Sequence, residues 1–134
     1  MQFHLENNVV RTLTIDQVTS DEDDSNFISF KYDATFPEER NRQFIITFSF
    51  ELKSESKFKL NLVHDFIFET DSELDDAFKN GHWTKVNAPA IAYPYLRAFV
   101  STLLLNAGLE AISLPAVNFV ELNKFMEEKN KNSD

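Results

Sequence analysis

Three histidines, His4, His64 and His82, are the residues best suited to proton transfer or metal binding in this chain. None stands at metal-ligand spacing from another histidine, so no metal centre is expected from them. His64-Asp65 has the composition of a base beside its orienting acid. Adjacent strand residues point to opposite faces, however, so the pair is poorly placed to act together. His64 falls on the apolar phase of its segment and reads as a hydrogen-bonded, partly buried histidine, or one beside a bulge. The acidic run Asp21-Glu22-Asp23-Asp24 lacks the spacing and closing glutamate of a calcium loop. It reads as a solvated loop, or as an acidic docking patch for a basic partner. With two glycines, no cysteine and no serine in a nucleophile elbow, the chain offers neither a phosphate cradle nor an activated nucleophile. No catalytic residue, metal or cofactor is expected.

Composition narrows the remaining classes. The net charge of −9 repels a phosphate backbone and an anionic membrane surface, so neither nucleic-acid binding nor membrane insertion is expected. The apolar fraction is 43%, with 14 phenylalanines against three tyrosines and one tryptophan. Phenylalanine has no polar handle, so this surplus is for burying or offering apolar area. The absence of cysteine fits a reducing compartment. The N-terminus is not built like a signal peptide, and the apolar stretch 98–105 is too short to span a bilayer. A cytoplasmic chain forming one domain over residues 1–134 is expected, with a frayed polar tail over 127–134.

The elements that position these residues follow from periodicity. Alternation with period two runs through 26–36 (Ile28, Phe30, Tyr32, Ala34, Phe36), 43–53 (Phe44, Ile46, Phe48, Phe50, Leu52) and 57–69 (Phe58, Leu60, Leu62, Phe66, Phe68). Segment 3–15 alternates less cleanly, which predicts a bulge or a change of face near Asn7-Asn8. These segments predict a four-stranded antiparallel sheet with one wet face, in an α+β fold. Residues 71–80 read as a short helical turn stopped by Gly81. Pro89 and Pro94 predict an extended lead-in over 87–94, then a long helix from about Tyr93, with Gly108 as its stop. Asn118 and Glu121 have capping-box spacing and predict a final helix. The long helix carries one stripe, Leu96, Phe99, Val100, Leu103 and Ala107, suited to covering the sheet. A second stripe, Tyr95, Ala98, Thr102 and Leu105, with Leu104 beside it, is also largely apolar. A sheet covers about 100° of a helix, so the second stripe is expected to meet another part of the chain or another copy of it.

Asn87-Ala-Pro-Ala-Ile-Ala-Tyr-Pro-Tyr-Leu-Arg-Ala-Phe-Val-Ser-Thr102 resembles the central helix of the SecB family of export chaperones, and Leu114-Pro-Ala-Val-Asn-Phe119 resembles the loop before its last helix. The resemblance is dense over residues 87–122, while the four strands agree in order and type. It implies a homotetramer, a dimer of dimers, in which the second helix stripe (Tyr95, Ala98, Thr102, Leu105) is an oligomer interface. It implies an ATP-independent holdase whose partners are non-native polypeptides or preproteins. A SecA-type motor or an antitoxin is a further expected partner, since some relatives serve toxin–antitoxin systems. Typical members carry a longer acidic tail where this chain ends Lys129-Asn-Lys-Asn-Ser-Asp134. Trp83, Tyr93, Leu114, Val117, Phe119, Leu122, Phe125 and Met126 are the expected client-binding residues. Two alternatives stand beside this one: a SecB-like chaperone dedicated to one client such as an antitoxin, and a small ligand-binding α+β domain.

Overall fold

The computed structural model describes residues 2–18, 26–55 and 58–132. The chain divides into two compact units, residues 1–73 and 74–134.

The first unit is a four-stranded antiparallel sheet: β1 Phe3–Gln17, β2 Phe27–Thr35, β3 Gln43–Ser54 and β4 Phe58–Thr70, in the order β1-β4-β3-β2. Alternation drives this arrangement. On β3 every second residue from Phe44 to Ser54 is buried, and its registered partners on β4, from Phe68 to Phe58, are buried with it. Cross-strand aromatic pairs lock the two central strands together. The Phe44 and Phe68 rings stack at 5.1 Å, and Phe48 meets Phe66 edge-on at 5.5 Å.

β1 holds two register shifts against β4, one between Leu5 and Asn7 and one between Val10 and Thr12. Each extra residue flips the phase of the strand. Phe3 and Leu5 therefore pair with core-phase residues of β4, then Asn8 and Val10, then Leu13 and Ile15. That double flip is why the sequence of this segment looked irregular near Asn7-Asn8. The second extra residue, Arg11, reaches Asp65 with Nη1–Oδ2 at 3.5 Å, and Thr47 Oγ1 donates to Asp65 Oδ1 at 2.6 Å.

Asn8 in turn explains His64. The histidine is 1% exposed, its Nε2 lies 3.0 Å from Asn8 Oδ1, and its ring packs 4.2 Å from that of Phe66. His64 is thus a core histidine beside a bulged strand, with Asp65 on the opposite face.

The second unit is helical. Asp75 caps α1 (Asp76–Lys79) by accepting from the Phe78 amide at 2.8 Å. The expected turn over 71–80 is thus shorter than predicted. At Gly81 an added Cβ would lie 2.8 Å from the Ala77 carbonyl oxygen, so the close turn here requires glycine. Gly81 does not end the helical path, which resumes at once as a π-helical turn, Trp83–Asn87, and continues as α2, Ala88–Asn106. The expected extended lead-in over 87–94 is therefore corrected to helix. Pro89 sits in the first turn of α2, where its missing N–H is tolerated. The wide turn before it, closed by the Ala88 amide on the Trp83 carbonyl, steps around the bond Pro89 cannot make. Pro94 lies inside α2 and frees the Ala90 carbonyl, but both residues are exposed, so water can satisfy it. Gly108, at φ 73°, ends α2 in a Schellman motif, with Leu109 N–H on the Leu104 carbonyl at 2.9 Å and Gly108 N–H on that of Leu105 at 3.2 Å.

The buried row of α2 is Ala88, Ala92, Leu96, Val100 and Leu104, with Pro89 and Tyr93 beside it. Leu104, read from the sequence with the second stripe, belongs to this row because it continues the spacing of four. Ala107, read as covering, is exposed. By length and composition the run Asp76–Asn106 is enough to cross a membrane, unlike residues 98–105 alone, but core helices meet the same test.

Burial holds the His64 pKa below its ordinary value of 6.5, with the Asp65 charge opposing more weakly. The folded chain then binds a proton less readily than the unfolded chain. His64 thus costs nothing above the unfolded pKa, and stability falls as pH drops below about 6.5. Urea unfolding measured between pH 7.5 and 5 is expected to show this loss. In His64→Gln the slope over that interval flattens, whatever the overall level of stability.

Candidate functional site

The loop 109–118 and the helix α3, Phe119–Asn132, are positioned by one tyrosine on α2. The Tyr93 hydroxyl donates to the Pro115 carbonyl at 2.7 Å, and the Tyr93 ring meets Phe119 edge-on at 5.7 Å. The Arg97 guanidinium lies 5.8 Å from the Tyr93 ring centroid, one turn along α2. Burial raises the Tyr93 pKa, with Arg97 opposing, so the hydroxyl stays protonated and able to donate. Asn118 then starts α3, its Oδ1 accepting from the amides of Val120 at 3.1 Å and Glu121 at 3.2 Å.

Tyr93, Leu114 and Phe119, three of the residues expected to touch clients, are buried together in this anchor. Val117, Leu122 and Met126 are half-buried. Phe125, at 61% exposed, presents most of its area to solvent, and Trp83, at 45%, nearly half. The Trp83 ring stacks over Phe78 at 6.5 Å, so it is both a packing residue and an open apolar surface. The C-terminal part of α3 is tied to the π-helical turn by Lys85 Nζ–Glu127 Oε1 at 3.6 Å. A groove of about 220 Å³ lies there, lined by Gly81, His82, Val120 and Asn123 among others. Sequence reasoning missed Val120, which is exposed beside Phe119. Its neighbour at Phe119 took the apolar phase, leaving no periodic signal for it.

The second stripe of α2 is open. Tyr95 is 54% exposed and Leu105 75%, with Ala98 and Thr102 exposed between them. Ile91, also exposed, was not picked out from the sequence, although it stands one turn before Tyr95. Ile91, Tyr95, Ala98, Thr102 and Leu105 follow each other at intervals of four, three, four and three residues. That is the spacing of a helix seam, with small residues at its centre permitting close approach. Asp21, Glu22, Asp23 and Asp24, the expected acidic docking patch, lie outside the described residues. His82 is exposed, and no constellation of nucleophile, base and orienter occurs among the described residues.

Removing the Tyr93 hydroxyl isolates its role. Tyr93→Phe keeps the ring but forfeits the bond to Pro115, at a cost of about 1 kcal/mol. Hydrogen exchange is expected to speed up in residues 109–118 and to stay unchanged in β3 and β4.

Residues 18–131 match the family model for SecB, preprotein translocase subunit. Among solved structures, the SecB-like chaperone Rv1957 of Mycobacterium tuberculosis, in complex with a ChAD peptide from the HigA1 antitoxin, superposes with a TM-score of 0.66 at 10% identity, over 86% of this chain and 89% of that one. A protein of unknown function from Streptococcus agalactiae superposes with a TM-score of 0.53 at 9% identity, over 87% and 98%. The uncharacterized protein MJ0357 of Methanocaldococcus jannaschii is 32% identical over 68 residues, half of this chain and 43% of its own length, so under half of that relative is spanned. With the family model covering most of the sequence, and the strands and helices in the order of a solved SecB-like chaperone, the chain belongs to the SecB family, whose members are chaperones rather than enzymes.

Proposed function

We propose that this protein is an ATP-independent holdase in the cytoplasm, binding non-native polypeptides on apolar surface around α3 and assembling through the open seam of α2. The observation that carries the reading is the coexistence of two exposed apolar surfaces on one helical unit. One is the seam from Ile91 to Leu105, and the other is the exposed area of Trp83, Val120 and Phe125. A monomer gains nothing by leaving both in water. A holding chaperone needs one surface to build a scaffold and the other to offer to clients. Apolar burial is non-directional, so such a surface accepts many sequences. The net charge of −9 keeps the assembly soluble and draws basic segments toward it.

Division of labour follows from burial. Tyr93, Leu114 and Phe119 act as the anchor of the lid formed by the loop and α3. Trp83, Val117, Leu122, Phe125 and Met126 supply the surface that a client covers when α3 shifts. Tyr95, Ala98, Thr102 and Leu105 pack against another copy of α2, in a homotetramer built as a dimer of dimers. A dedicated client, an antitoxin, is the second reading, favoured by the antitoxin peptide bound to the structurally similar mycobacterial chaperone. Export clients handed to a SecA-type motor are the alternative within the same mechanism.

Two experiments separate the surfaces. Light scattering of the purified protein is expected to give about 62 kDa, four times the 15.5 kDa chain, and Leu105→Glu with Tyr95→Glu is expected to yield a smaller species. A lone subunit in the unaltered protein at micromolar concentration overturns the assembly. Phe125→Ser with Met126→Ser is expected to weaken suppression of client aggregation several-fold without changing the mass. Undiminished suppression rejects this placement of the client surface.

A further inference from the structure

A different group of side chains lies on the sheet unit, where β1 begins and β4 ends. His4 pairs in register with Glu69, and Glu6 follows His4 at the first register shift of β1. His4 Nε2 lies 3.2 Å from Glu6 Oε2. One ligand atom from each of His4, Glu6 and Glu69 lies within 4.8 Å of the others, the one such group of potential metal ligands among the described residues. His4 and Glu6 are exposed and Glu69 half-buried, so a cation could approach from solvent.

The two carboxylates are held against each other. The Glu69 side chain stands beside that of Glu6, so two carboxylates and one imidazole converge on a single point of the surface. A divalent cation placed there offsets the repulsion between the two carboxylates. An imidazole nitrogen with two carboxylate oxygens is the donor set of borderline cations such as Zn2+ or Ni2+, whereas Mg2+ and Ca2+ favour oxygen alone. Donors bound to zinc at about 2.0–2.2 Å sit a little over 3 Å apart. Small rotamer changes at exposed side chains close the present spacing to that value.

We propose that His4, Glu6 and Glu69 form a three-ligand surface site for a divalent transition cation of the Zn2+ type, with water completing the coordination. Bound there, the ion clasps the first residues of β1 to the last residues of β4. The site owes nothing to the helical surfaces assigned above and stands or falls without them. No spacing in the sequence announces it, because its third ligand comes from a different strand.

Isothermal titration of the EDTA-stripped full chain with zinc chloride, in a buffer that does not chelate, tests the assignment. One ion per chain is expected, with magnesium chloride at least tenfold weaker. His4→Gln and Glu69→Gln are each expected to weaken zinc binding tenfold or more, and His82→Gln to leave it unchanged. Circular dichroism shows whether each variant is folded. Should one not fold, paramagnetic broadening by Co2+ in the unaltered chain is expected to fall on the amides of residues 3–6 and 68–70. No saturable binding, equal binding of magnesium, binding undiminished in folded His4→Gln and Glu69→Gln, or broadening elsewhere overturns the proposal.

Discussion

Register on β4 is the constraint from which the sheet unit follows. The strand is hydrogen-bonded on both sides, and its even-numbered residues from Phe58 to Thr70 are all buried. A slip of one residue against β3 would turn Phe66, Phe68 and their partners outward together. Nothing local could compensate for so many aromatic rings leaving the core at once. β1 cannot match β4 with uninterrupted alternation, and its two extra residues absorb the mismatch. Each shift has been put to use: Arg11 pairs with the nearly buried Asp65, and Asn8, set in phase with Phe66 by the first shift, meets His64 Nε2. What looks like irregularity on β1 supplies a polar partner to a histidine and to an aspartate on opposite sides of one strand.

The helical unit solves a different problem. α2 must carry a buried row and leave a parallel row in water, although both are apolar. Spacing separates them: the buried row advances by fours, while the open row advances by fours and threes. Prolines set where the helix can begin, and the π-helical turn lets it begin early. That early start places Trp83 and Lys85 where α3 can be reached, since Lys85 pairs with Glu127. Had the lead-in been extended, this tie would have no fixed origin. Tyr93 is the second tie, and together they hold α3 by a few polar contacts and the buried aromatic edge of Phe119.

The strands were legible in the sequence to within a residue or two because a large apolar residue recurs at every second position from Phe44 to Leu52 and from Phe58 to Leu62. Gly108 and Asn118 were legible because a left-handed φ and an N-cap each demand a particular residue type. The π-helical turn was not, because the proline rule applied to residues 87–94 describes regular helices and cannot register a widened turn. Leu104 was misplaced because it borders both stripes and only packing decides between them. The expected client residues divide for a similar reason. Tyr93, Leu114 and Phe119 have the same composition as an open surface, and burial alone distinguishes an anchor from a contact. The family was legible in residues 87–122, where the motif falls on the helix start, the loop and the final cap.

The bulged edge of the sheet has one more implication. β1 is an outer strand of 15 residues, long enough to template cross-β growth if it were flat. Its two bulges bend it and divide its outward hydrogen-bonding groups into short, out-of-phase pieces. An extended polypeptide drawn to this protein would find no continuous rail on which to stack, and a second one none on which to follow. The sheet is thereby shielded at this edge from becoming the seed of a fibril.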